Sequence, residues 1–224
     1  MKKQLLIYIF VLFSSVASAQ LFEAGAFVGG SNYIGDIGST KYINPNRIAV
    51  GGILKYNYNA RLTFRGTGIY TRLHANDSKA ETNFRQNRGQ QFRNSIAEAA
   101  VGIEFNFNKY SLWKVGYSQT PYIIAQVGAV NYSYVNDDAV SERKTSLIVP
   151  IGVGYKFRLL ENVGVAIESS VRYTFNDIID GNNHSLGTPY DFGNPKSDDW
   201  YVFSGITIVY AFGRPACNED NFYK

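Results

Sequence analysis

The chain has 224 residues, a formal net charge of +4 and a single cysteine, Cys217. One cysteine excludes an intramolecular disulfide framework, and a modest charge spread along the chain excludes a nucleic-acid-binding arm. Aromatic residues reach 15 %, with 17 Tyr and 15 Phe, a load suited to membrane–water interfaces and to β-rich folds.

The chain opens on MKKQLLIYIFVLFSSVASAQ. Lys2 and Lys3 form a basic n-region, Leu5–Phe13 a short apolar run, and Ala17-Ser18-Ala19 a small-x-small cleavage site. The run is too short to span a bilayer, and no cysteine follows the cleavage site to carry a lipid. The expected organisation is a signal peptide over 1–19, one β-domain over 20–213 and a polar tail over 214–224. No later stretch reaches the roughly 18 apolar residues of a membrane helix. An exported chain of this kind can cross a membrane only as a closed barrel.

Eight segments alternate apolar and polar residues with period two, the mark of strands with two unlike faces. They are Leu21–Gly30, Arg47–Tyr58, Arg61–Leu73, Asn94–Asn108, Pro121–Tyr134, Ser146–Arg158, Val163–Phe175 and Trp200–Phe212. Most exceed the five or six residues usual for soluble strands and match the nine to eleven of a tilted membrane strand. The seventh is the clearest. Val163, Val165, Ile167, Val171, Tyr173 and Phe175 share one face, and Gly164, Ala166, Glu168, Ser170, Arg172 and Thr174 share the other. The fifth is ambiguous, with Ile and Val on one parity and Tyr on the other.

Long polar connections alternate with tight ones around Asn57–Ala60 and Leu159–Asn162, as in barrels with short periplasmic turns and long external loops. The polar faces mix small residues with isolated full charges, which suits the inside of a narrow barrel better than a solvated sheet. The expected fold is all-β: an eight-stranded antiparallel transmembrane β-barrel in the outer membrane of a Gram-negative bacterium, both termini periplasmic. Glu23, Glu98, Glu104 and Glu168 would then share the lumen with Lys55, Arg61, Arg65, Lys156, Arg158 and Arg172. Charges placed there must pair, because an uncompensated buried charge costs several kcal/mol. A salt-bridged plug is expected, with no open pore.

No enzyme, cofactor or metal site emerges. His74 and His184 fall in expected external loops with Asp77, Asp180 and Asp191, and Ser185 beside His184 carries no nucleophile motif. Gly29-Gly30 and Gly51-Gly52 lack the strand-to-helix context and lysine of a phosphate loop. The expected periplasmic side is more suggestive. Tyr110, Trp113 and Tyr117 load one turn with aromatic rings, and with Cys217 in the tail they mark either a partner-contact surface or a bilayer anchor.

The last strand, WYVFSGITIVYAF, ends in an aromatic residue and resembles the C-terminal signal of barrels inserted by the outer-membrane assembly machinery. The stretches GAFVGGSNYIGDIGSTKYINPN (Gly25–Asn46), LKYNYNARLTFRGTGIY (Leu54–Tyr70), SIAEAAVGIEFNF (Ser95–Phe107) and TPY (Thr120–Tyr122) resemble the PorG family. These are outer-membrane barrels of the type IX secretion system of the Bacteroidota. The resemblance implies a non-enzymatic barrel that docks a periplasmic ring, built from a lipoprotein and its partner, to the outer membrane. Two other readings stay open: a general structural or adhesive OmpA-like barrel acting through its external loops, and a lipid-modifying enzyme using His184 and Ser185.

Overall fold

The structure, a computed structural model, describes residues 22–35, 41, 43–80, 82–89, 91–113, 116, 118–135, 141–175 and 200–212. The expected signal peptide, the Asn176–Asp199 connection with His184 and Ser185, Tyr117, and the tail with Cys217 lie outside these residues.

Eight strands close into one antiparallel barrel in chain order. They are β1 (Phe22–Ile34), β2 (Arg47–Asn57), β3 (Leu62–Asn76), β4 (Gln91–Asn106), β5 (Gln119–Val135), β6 (Ser141–Leu160), β7 (Val163–Thr174) and β8 (Trp200–Phe212). The seam is a full ladder, with β1 and β8 paired from Phe22↔Phe212 to Ile34↔Trp200, so neither terminal strand leaves an edge. Between β3 and β4 stand a 3₁₀ turn (Asp77–Lys79) and a short helix, α1 (Asn83–Arg88), which ends on Gly89 in the left-handed region.

Local chemistry fixes the tight turns. Between β2 and β3, the Asn59 side-chain oxygen accepts from the backbone N–H groups of Arg61 and Leu62 at 2.8 and 2.7 Å. Between β6 and β7, Asn162 adopts φ 67°, a conformation Asn tolerates better than most residues.

The strands run further than their alternation announces, chiefly at the end opposite these turns, the loop end. There β3 continues to Asn76 and β6 begins at Ser141, so only residues 136–140 separate β5 from β6. The expected contrast in connection length is accordingly weaker at that hairpin. Backbone pairing continues through polar residues because each keeps its ladder partner, as in Ser133↔Arg143 and Tyr134↔Glu142.

Burial assigns the faces. Inward positions of β7 (Gly164, Ala166, Glu168, Ser170, Arg172, Thr174) are buried, whereas Ile167 on the opposite face is 62 % exposed. Val101, Val127, Leu147, Ile151, Val153 and Ile208 are likewise more than half exposed. The ambiguous fifth strand resolves with Tyr122, Ile124, Gln126, Val130 and Tyr132 inward. The chain therefore buries its charges and displays its aliphatics.

Aromatic rings edge the apolar wall. At the turn end, Phe212, Phe22, Tyr56 and Phe64 form a row of ring contacts across β8, β1, β2 and β3 with centroids 5.4–6.2 Å apart. At the loop end, Tyr173 meets Trp200 at 5.0 Å and Phe175 at 5.1 Å. The interior also holds an apolar layer the polar-face reading did not foresee. Tyr33, Leu73, Ile96, Val130, Tyr132 and Ile148 pack together in the loop-end half of the barrel.

Candidate functional site

The inward charges fall into two clusters. The larger is centred on Glu104 of β4, whose side chain is fully buried. Lys55 of β2 approaches Glu104 Oε2 at 2.8 Å, Arg65 Nη1 of β3 donates to the same oxygen at 3.1 Å, and Lys156 Nζ of β6 donates to Oε1. Arg65 turns the rest of its fork across the lumen to β7. Its Nη1 and Nη2 reach Glu168 Oε2 and Oε1 at 2.9 and 2.7 Å, a bidentate pairing that the guanidinium plane favours. The Tyr122 hydroxyl adds a donor to Glu168 Oε2 at 2.7 Å. The ring of Tyr122 also lies 5.7 Å from the Lys55 ammonium and 5.2 Å from that of Lys156.

The second cluster lies nearer the loop end. Arg172 Nε and Nη2 of β7 donate to Glu98 Oε1 of β4 at 3.2 and 3.1 Å, and the Tyr201 hydroxyl of β8 donates to Glu98 Oε2 at 2.7 Å. Phe203 lies under the Arg172 guanidinium at 4.1 Å. Gln126 of β5 donates to the Arg65 carbonyl at 3.3 Å and accepts from Thr67 at 3.4 Å. Glu23 accepts from Asn57 at 2.7 Å. Among the described strand residues the buried charges are Glu23, Glu98, Glu104 and Glu168 against Lys55, Arg65, Lys156 and Arg172, and these eight side chains balance in charge.

One expected lumen residue lies outside, and another sits at the covered mouth. Arg61 is exposed, one residue before β3 begins, and its guanidinium donates to the Phe107 carbonyl at the rim. The parity was right, but the strand starts too late to carry the side chain inside. Arg158 is half-buried near the end of β6, 3.5 Å from the Leu112 carbonyl.

The aromatic turn between β4 and β5 also departs from expectation. Tyr110 is not a surface residue. Its backbone N–H donates to the Ala60 carbonyl at 3.0 Å, and its ring lies 4.5 Å from the Lys156 ammonium. With Leu112 it packs on Val209 and Ala211, and Trp113 covers the outside. The turn thus folds back over the mouth of the barrel and covers the charged cluster. Burial pushes the Tyr110 phenol well above its ordinary value, with Glu23 and Glu104 adding to the rise. Of the partner-contact residues expected at this end, only Trp113 is described and partly exposed.

Sequence reasoning missed the hydroxyl donors Tyr122 and Tyr201 and the amide of Gln126. Tyr and Ile alternate against each other in β5, so hydropathy gave no parity, and only the position of Gln126 could have set it. His74 is half-buried at the end of β3, and among the described residues no three His, Cys, Asp or Glu side chains gather in a metal-binding arrangement. Every carboxylate of the two clusters is engaged by cations or hydroxyls. The arrangement ties strands on opposite sides of the lumen together.

A family model described as "Domain of unknown function (DUF6089)" matches residues 2–221. No curated protein matches in sequence. Among solved structures, the chain is similar to the N-terminal β-barrel domain of Pseudomonas aeruginosa OprF. Identity is 15 %, TM-score 0.47, and 86 % of this chain covers 97 % of that one. It is also similar to Neisserial surface protein A (15 %, TM-score 0.46, 87 % and 98 % covered). The outer-membrane protease OmpT of Escherichia coli aligns at 8 % identity and TM-score 0.42, with 87 % and 98 % covered.

Proposed function

The chain belongs to the DUF6089 family, and from that premise we propose that it is a non-enzymatic outer-membrane barrel of the type IX secretion machinery, docking the periplasmic ring to the membrane. The membrane half of this reading is carried by the inverted faces. In water, a wall displaying Ile167, Val153, Ile151 and Leu147 around a core of Glu104, Arg65 and Lys156 would cost free energy on both sides. In a bilayer, the same wall is solvated by lipid chains and the core by itself.

Docking, rather than conduction, is supported by the lumen. The Glu104 cluster and the Tyr110–Leu112 cover fill the passage, so the periplasmic role falls to the turn-end surface, where Trp113, Tyr58, Leu159 and Leu160 are accessible. The assignment to this secretion system rests on the PorG-like stretches, Gly25–Asn46 and Leu54–Tyr70 above all. Affinity capture of the tagged barrel from detergent-solubilised membranes tests it. Recovery of the periplasmic ring lipoprotein, together with loss of secretion of C-terminal-signal cargo in the deletion strain, is expected. Normal cargo secretion in the deletion strain overturns the docking role and leaves the membrane barrel standing.

A further inference from the structure

The outer wall is apolar around most of its circumference, but among the described side chains on β3 to β6 it carries two guanidinium groups at the loop end. Tyr70 and Arg72 project outward from β3, Ser95 and Ala97 from β4, Asn131 and Ser133 from β5, and Arg143 and Thr145 from β6. The register sets them in two rows. Tyr70 pairs with Ala97, Ala97 with Asn131 and Asn131 with Thr145; one alternation further out, Arg72 pairs with Ser95 and Ser133 with Arg143. Side chains lean together over this floor. Arg143 Nη1 donates to Asn131 Oδ1 at 3.2 Å, and Asn131 Nδ2 donates to Thr145 Oγ1 at 3.0 Å. The Tyr70 phenol hydrogen-bonds with Ser95 and Arg72 and lies within electrostatic reach of Arg143.

Among the described residues, neither arginine is paired with a carboxylate, whereas the buried Arg65 and Arg172 both are. The floor between Arg72 and Arg143 is made of the small residues Ala97, Ser95 and Ser133, with the Tyr70 phenol standing beside Arg72. We propose that this patch binds the phosphate of an anionic lipid headgroup in the leaflet at the loop end. The height fits: Tyr70 and Leu147 are the last large apolar outward residues on β3 and β6, and the arginines stand one and two alternations beyond them. Headgroup phosphates lie at that depth when the apolar wall fills the hydrocarbon layer. Two guanidinium forks with amide and hydroxyl donors between them match the acceptor geometry of a phosphate monoester. Both arginines lie on one side of the barrel, and the Tyr173–Phe175–Trp200 rings take the other at the same end, so the lipid would be held at one position and not as a belt.

The inference rests on the membrane reading, and its test separates the two. Wild type, R72Q/R143Q and the turn-end control R61Q are first reconstituted into phosphatidylcholine nanodiscs. Failure of the wild type to incorporate overturns the membrane reading itself. Incorporated protein is then titrated with a bisphosphorylated lipid A, the same lipid after enzymatic dephosphorylation, and inorganic phosphate, with binding read by native mass spectrometry. At about fivefold per arginine, R72Q/R143Q should weaken bisphosphorylated lipid A binding by roughly 25-fold. R61Q should not change it, and the dephosphorylated lipid should bind wild type as weakly as the intact lipid binds the double variant. Equal binding of intact lipid by wild type and double variant overturns the site. Saturation by inorganic phosphate at the lipid's own concentration identifies a free-anion site and overturns the headgroup assignment.

Discussion

Neutralising Glu104 is the sharpest test of the lumen. The Glu104→Gln variant keeps the shape of the side chain and removes the one charge that Lys55, Arg65 and Lys156 share. At an effective dielectric of 20, an ion pair at 2.8 Å is worth about 6 kcal/mol before desolvation is counted. Desolvation of each ion offsets most of that gain, and breaking a buried pair by removing one partner typically costs about 3–5 kcal/mol. Glu168 remains to hold Arg65, through the two bonds at 2.9 and 2.7 Å, so the uncompensated charge falls on the two lysines. The unfolding equilibrium of Glu104→Gln should move by roughly two to three and a half powers of ten. Urea titration of the barrel refolded into lipid vesicles, followed by tryptophan fluorescence, measures this. The double variant Glu104→Gln/Lys156→Met restores the charge balance and should recover a large part of the loss. If Glu104→Gln unfolds within about 1 kcal/mol of wild type, water reaches the lysines and the sealed, balanced lumen is wrong.

Four further substitutions probe other parts of the barrel. Ile167→Arg, on the outward face opposite Ile206 in the β7–β8 ladder, should cost about 2–4 kcal/mol in vesicles; a change near zero would place that face in water. Gly154→Ala should be destabilising, because a Cβ there would stand 2.5 Å from the Tyr122 ring and push its hydroxyl off Glu168. Gly52→Ala, with nothing within 4 Å of the added atom, should be neutral or stabilising by up to about 1 kcal/mol, and equal effects from the two would refute this packing. Tyr110→Phe should leave unchanged the phenolate absorbance that develops near pH 10 in the folded protein, because burial holds this phenol protonated there. The buried phenol's contribution to stability is present below pH 10 and is lost as pH rises beyond it, so loss of one titrating tyrosine from that step would show Tyr110 open to solvent.

What was legible in the sequence is what a period of two can carry. The positions of the eight strands, the tight turns at Asn59 and Asn162, and the inward parity of Glu98, Glu104, Glu168, Lys55, Arg65, Lys156 and Arg172 all follow from alternation along single strands. The pairing of those charges does not. Arg65 and Glu168 lie on opposite sides of the lumen, on β3 and β7, and their meeting depends on the registers of all the strands between them. Strand ends were illegible for a related reason. A ladder continues as long as backbone partners exist, whatever the hydropathy, so β6 runs out to Ser141 through SERKT, while β3 begins one residue too late to bring Arg61 inside.

The cover at the turn end combines both lessons. An aromatic turn in an isolated sequence has two natural destinations, a partner or a membrane interface, and neither is the interior. A third opens only once the barrel has set Lys156 beneath its own mouth, with its Nζ on Glu104. A ring lowered onto that ammonium gains a cation–π contact and shuts water away from the cluster, and Tyr110 takes that place. Its backbone bond to Ala60 ties the cover to the β2–β3 turn, so any partner binding at this end meets Trp113 with Tyr110 already committed. A turn-end surface built this way is held in place by the contacts beneath it. Weakening the Glu104 cluster should therefore loosen the turn-end surface as well as the barrel.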